Sequence, residues 1–229
     1  MPDPAKDEIP FNPLPPMVIA LAVVLGAIEL VFQAGSAGII GGQAGIGLRA
    51  EAVDAFGFSA PLMDLVADRG AWSAEVLMRF VTYAFVHVSA THVIFVIVFL
   101  LALGKMVGET FGNIAVLVIF LAASAVGALA FWLLTGTQAR LIGGMPGAYG
   151  MIGGYTFMLW VGLGALHQNQ MRAFTLIAFL MGIQLLFGLL FGGPPDWVAD
   201  LAGFATGFVV AALFVPGSGT AMLKRLRRR

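Results

Sequence analysis

Apolar residues run along this chain in long unbroken blocks, without the alternation of a half-buried strand or the stripe of a soluble amphipathic helix. Six blocks reach the roughly 20 residues that a bilayer-spanning helix needs: 14–32, 76–103, 114–134, 141–166, 173–191 and 197–215. Spans three to six follow one another through short links, so a tight bundle is expected. Pro13, Pro15 and Pro16 lead into the first block. The acidic opening Met-Pro-Asp-Pro-Ala-Lys-Asp-Glu lacks the basic region of a signal peptide, so this block is expected to be a retained helix. Residues 33–75 are different: too long for a turn, apolar, yet not a full span. They are Gly-rich from Gly35 to Gly47 and continue with Phe56, Phe58, Pro61-Leu62-Met63 and Trp72. Such a loop folds on its own or lies partly in the interface, with Trp72 and the Phe residues as anchors. Asp54, Asp64, Asp68 and Glu75 place it on the outer side. The expected organisation is an N-terminal segment 1–13, a six-helix membrane domain over 14–216 and a basic tail 217–229, with no repeat and no second domain.

Composition narrows the class. Of the 229 residues, 60% are hydrophobic and 10% charged, with a mean hydropathy of +0.97. Soluble domains carry about 25% charged residues and disordered chains are more polar still, so both are excluded. A net charge of zero provides no global field to gather nucleic acid. With no cysteine, disulfides, thiolate zinc sites and cysteine nucleophiles are excluded too. Lys6, Lys105, Arg172 and the tail residues Lys224, Arg225, Arg227, Arg228 and Arg229 share one side of a six-span chain. Arg49, Arg69, Arg79 and Arg140 share the other. This excess places both termini in the cytoplasm, and the tail is either a lipid-binding patch or a marker of the inner face. The acidic N-terminus and short loops point to a bacterial inner membrane.

Ionisable groups inside spans are costly and become functional candidates by default. Here they are Glu29, Arg79, His87, His92, Lys105 with Glu109, and Asp200. On one continuous helix His87 and His92 would stand about 140° apart, too far round to share a metal. They are expected to be interior histidines bonded to neighbouring helices. Asp200 is a proton carrier, a carboxylate satisfied by His87, His92 or Tyr149, or a silent protonated acid. Gln33 and Gln184 read as polar packing groups. Glycine pairs at 104/108, 143/147, 150/154 and 203/207 let backbones approach closely, and predict that the fourth and sixth spans pack together.

These motifs, in this order, resemble the rhomboid family of intramembrane serine proteases. Arg79-Phe-Val-Thr82-Tyr83-Ala-Phe85-Val-His87, followed by His92, is similar to the family's second-span run. Gly104 to Glu109 is similar to its Gly-xxxx-Glu turn opening the third span. Gly143-Gly144-Met145-Pro146-Gly147-Ala148-Tyr149-Gly150 resembles the Gly-x-Ser-Gly start of the fourth span, and Asp200-xx-Gly203-xxx-Gly207 resembles the sixth-span His-xx-Gly-xxx-Gly. The resemblance implies an all-α six-helix fold with a long first loop. It implies a water-accessible cavity among spans two, four and six, with a lateral route for a transmembrane segment. It assigns structural places to Arg79, Glu109, Gly147, Gly150, Gly203 and Gly207.

The resemblance also implies a Ser–His dyad, in which serine attacks the peptide carbonyl and histidine takes its proton. Here Met145 or Pro146, depending on the alignment, stands at the serine position and Asp200 at the histidine position. The oxyanion-side asparagine is Val96. The expectation is therefore a pseudoprotease without catalytic residue, metal or cofactor. It would bind transmembrane segments of other membrane proteins through a cavity lined by His87, His92, Val96, Tyr149 and Asp200, with lipid as its other partner and no nucleic acid. The alternatives are an active protease with a non-standard site and a permanent subunit of a membrane complex.

Overall fold

The structure, a computed structural model, describes residues 13–215. The N-terminal segment up to residue 12 and the basic tail 217–229 lie outside the described residues. Helix α1 (Pro16–Ser36) starts on a proline, whose fixed φ and missing N–H suit the first helical position. Three short helices follow in the first loop, α2 (Gly42–Gly45), α3 (Leu48–Phe56) and α4 (Ala60–Arg69). Then come α5 (Ala74–Thr82), α6 (Ala90–Phe111), α7 (Asn113–Thr135), α8 (Met145–Ala165), α9 (Thr175–Phe191) and α10 (Trp197–Leu213). Two 3-10 segments, Tyr83–Phe85 and Gln170–Phe174, lie after α5 and before α9. Strand β1 (Phe58–Ser59) pairs antiparallel with β2 (Arg140–Leu141), Phe58 opposite Leu141, and ties the first loop to the segment entering α8.

The chain is an all-α membrane bundle. Helices α1, α6, α7 and the unit 170–191 that contains α9 are long and apolar enough to cross a bilayer. The other two long helices form the interior pair. α8 has 21 residues and α10 has 17. Every residue of α8 from Pro146 to Gly154 is buried, so glycine replaces the bulky apolar surface a lipid-facing helix needs. The expected packing of α8 on α10 is present. A Cβ on Gly207 would sit 2.6 Å from the Gly150 Cα, and one on Gly203 would sit 2.9 Å from the Pro146 carbonyl carbon. On the opposite side, Gly147 lies under the Phe120 ring and Gly150 against Ala123 of α7.

Two expectations are corrected. The block 76–103 is not one helix: α5 ends at Thr82, and the chain turns through 83–89 before α6. The Ser89 hydroxyl accepts the His92 N–H at 3.2 Å and caps α6. Residues 83–89 are as apolar as their neighbours, so hydropathy does not reveal the break. The separation of about 140° between the two histidines assumes one helix and falls with it. The stretch Gly104 to Glu109 belongs to the last turns of α6 rather than opening the next span. The turn falls at Gly112, whose φ of +91° favours glycine.

Loop 33–75 folds against α5 and α7. Phe58 and Met63 are fully buried, and the Arg79 guanidinium donates to the Asp54 and Gly57 carbonyls, both at 2.9 Å. Trp132 donates to the Asp64 carboxylate at 2.7 Å, and its ring meets Trp72 edge to face at 6.0 Å. Arg140 pairs with Asp54.

Candidate functional site

A cavity of about 280 Å³ opens where α6, α8, α9 and α10 converge. α6 contributes His92 and Phe95, the strand β2 segment Leu141 and Ile142, and the first turn of α8 Met145 and Pro146. Gln184 comes from α9, and Asp196 and Asp200 from the start of α10. Gly143 makes room for the imidazole: with φ +101°, it lies where a Cβ would come 2.8 Å from His92 Nε2. Met145 and Pro146 both reach the wall, so both alternatives for the serine-equivalent position face the same space.

The polar groups are linked through Gln184. Its side-chain N–H donates to Asp200 Oδ2 at 2.8 Å, and its carbonyl oxygen accepts the Tyr149 hydroxyl at 3.0 Å. Asp200 is 2% exposed, and a carboxylate so deeply enclosed needs such a donor. The sequence places its partner in His87, His92 or Tyr149; the structure places it in Gln184, and Tyr149 reaches the acid only through that amide. Asp196, one helical turn earlier on the same wall, escaped the sequence reading. Its Oδ1 is buried without a hydrogen-bond partner. The i, i+4 spacing of Asp196 and Asp200 was the signal that could have found it.

The remaining candidates stand behind the wall. His87 is 1% exposed; its Nε2 accepts the Gly144 N–H at 3.1 Å, and the Phe85 backbone bonds it as well. Its ring packs edge to face on His92 with centroids 5.1 Å apart. Val96 is fully buried in the core beside Gly144, outside the cavity. His87 and Val96 are thus supports for the backbone entering α8, a correction to their place as cavity-lining candidates. The sequence reading also missed Arg49. It forms a double ion pair with Glu29, at 2.7 and 2.9 Å, and donates to the His87 carbonyl at 2.6 Å. A lone arginine in a glycine-rich loop carries no pattern that announces this role.

Chemically, the wall offers two carboxylates, one imidazole, one amide and a thioether, with no hydroxyl or thiol among the described lining residues. No group of three His, Cys, Asp or Glu among the described residues is placed to hold a metal.

Long apolar helices around an interior glycine-packed pair, enclosing a polar cavity, define an integral membrane protein of the polytopic helical class. The Rhomboid domain family matches residues 74–217, and the chain belongs to the rhomboid family. The match begins at α5, so α1 and most of the first loop lie outside the matched stretch. Rhomboid-like protease 3 of Toxoplasma gondii is 26% identical over 144 residues, covering 63% of this chain and 54% of that protein. The chain spans about half the length of this curated relative.

Proposed function

We propose that this rhomboid-family protein is a non-proteolytic member that binds transmembrane segments of other membrane proteins, serving their assembly, stability or quality control. The observation that carries the reading is the chemistry of the cavity wall. Met145 and Pro146 supply no ionisable nucleophile, and Asp200 is bonded to Gln184 rather than poised beside a hydroxyl. A nucleophile with a base within reach is the minimum for covalent acyl transfer. Ser89 is spent on capping α6, and Ser124 donates to the Phe120 carbonyl at 2.8 Å inside the core. What remains is a polar pocket inside a bilayer, where packing supplies most of the affinity and each hydrogen bond adds about 1–2 kcal/mol at best.

In this reading the protein resides in a bacterial inner membrane with both termini in the cytoplasm, in line with the excess of basic residues on that side. The test is affinity purification from native membranes in mild detergent, with mass spectrometry and a stoichiometry estimate. A membrane protein recovered near one-to-one, and lost on Asp200→Asn or Met145→Trp, is the expected result. The relative's name favours a protease as the second reading. Cleavage of a labelled transmembrane substrate by the purified protein, abolished by His92→Ala, would establish that instead.

A further inference from the structure

Gln184 borders two spaces at once. On its inner side is the polar cavity with Asp200 and Met145. On its outer side is a groove of about 280 Å³ between the second half of α9 and the segment 193–197, lined by Leu185, Gly188, Leu189, Pro194 and Trp197. The amide is the partition between them. It is carried by a loosely held helix, since Ile177 and Met181 are the buried residues of α9 and both precede it. Downstream, Leu185, Leu189 and Phe191 are exposed, and a Cβ on Gly188 would meet nothing within 4 Å.

We propose that Gln184 is a resident placeholder for a partner's amide. A membrane-spanning helix with an Asn or Gln near its middle lies in the outer groove, displaces Gln184 and takes over its bonds to Asp200 and Tyr149. This deepens the client-binding reading and rests on it. The occupant is a helix because the groove runs along the exposed apolar half of a membrane-spanning helix, with Leu185, Leu189, Leu190 and Phe191 uncovered, and a partner there must satisfy its own backbone. Gly188 lets that backbone come close, as small residues do at helix contacts in lipid. The amide follows from the two groups Gln184 satisfies, a carboxylate oxygen that accepts and a tyrosine hydroxyl that donates. A lysine ammonium would serve Asp200 but, having no acceptor, would leave the Tyr149 hydroxyl without its partner. An acyl chain would serve neither.

The test uses the full-length protein in phosphatidylcholine vesicles. Because the chain has no cysteine, Ile142→Cys places a single thiol in the inner cavity wall. With Gln184→Ala added, a bilayer-partitioning maleimide should label that thiol several-fold faster. Binding is then measured with labelled Leu/Ala transmembrane peptides carrying Asn, Lys or Leu at the centre. The Asn peptide should bind Gln184→Ala about 5- to 30-fold more tightly than the Leu peptide does, with a smaller preference for wild type, where Gln184 competes. Labelling that ignores residue 184 overturns the partition. Equal binding of all three peptides overturns the exchange while the client-binding reading stands, and equal binding of Asn and Lys overturns the amide specificity. If no peptide binds either protein, the client-binding reading falls together with the exchange, and labelling alone decides the partition.

Discussion

Arg49 offers the sharpest test of how the first loop is held. Its guanidinium meets both oxygens of Glu29, at 2.7 and 2.9 Å, bonds the His87 carbonyl at 2.6 Å and stacks over Phe32 with its carbon 5.0 Å from the ring centroid. Glu29 is 6% exposed and has Gln33 as its other donor, at 2.7 Å. Arg49→Ala therefore strands a carboxylate inside the bundle and frees the carbonyl of the residue that holds Gly144. Removing one partner of a buried pair costs about 3–5 kcal/mol, and the partial exposure of Arg49 puts this site at the lower end, about 3 kcal/mol. Glu29→Leu with Arg49→Leu removes the stranded charge. What remains is the lost bond to the His87 carbonyl, about 1 kcal/mol. The double variant should thus be more stable than Arg49→Ala by roughly 2 kcal/mol. Reversible unfolding by added denaturing detergent in mixed micelles, followed by tryptophan fluorescence, measures the series. If Arg49→Ala costs under about 1 kcal/mol, or the double variant is no better than the single, the pair does not clamp the loop and the reasoning is refuted.

Other outcomes follow from single contacts. Gly207→Ala forces a methyl into the Gly150 backbone and should cost about 1–3 kcal/mol, whereas Gly188→Ala, with open space around it, should be near neutral; the same unfolding assay compares them. Tyr83→Phe removes a fully buried hydroxyl that donates to the Ser124 carbonyl at 2.8 Å, and should cost about 1–2 kcal/mol. Trp132→Phe loses the more exposed bond to Asp64 and should cost under about 1 kcal/mol. Purified wild type should leave a labelled transmembrane substrate intact over hours, with His92→Ala indistinguishable from it by gel.

The membrane class and the α8–α10 packing could be read directly from the chain. Block length reports a bilayer's thickness, and glycines four apart mark one helix face wherever that helix goes. Arg79 read as an ionisable group inside a span; its tie to the first loop, through the Asp54 and Gly57 carbonyls, appeared only in the structure, and hydropathy ran unbroken through the turn at 83–89. Asp200 stood out because an acid in a span is rare. Its partner did not, because Gln184 is an ordinary polar residue on a lipid-facing helix until another element brings Asp200 beside it.

Residue order alone carries what local and one-dimensional rules control: which stretches avoid water, which faces carry small residues, and which polar groups sit at membrane depth. Tertiary structure decided the rest, namely which polar groups meet. It joined Glu29 to Arg49 across the loop, set His87 under Gly144 rather than in the cavity, and threaded Tyr149, Gln184 and Asp200 into one chain of bonds. The reason is physical. In a low-dielectric interior an unpartnered polar group is costly and nearly all find a partner, and the partner is chosen by how helices distant in sequence cross in space, which no local pattern encodes.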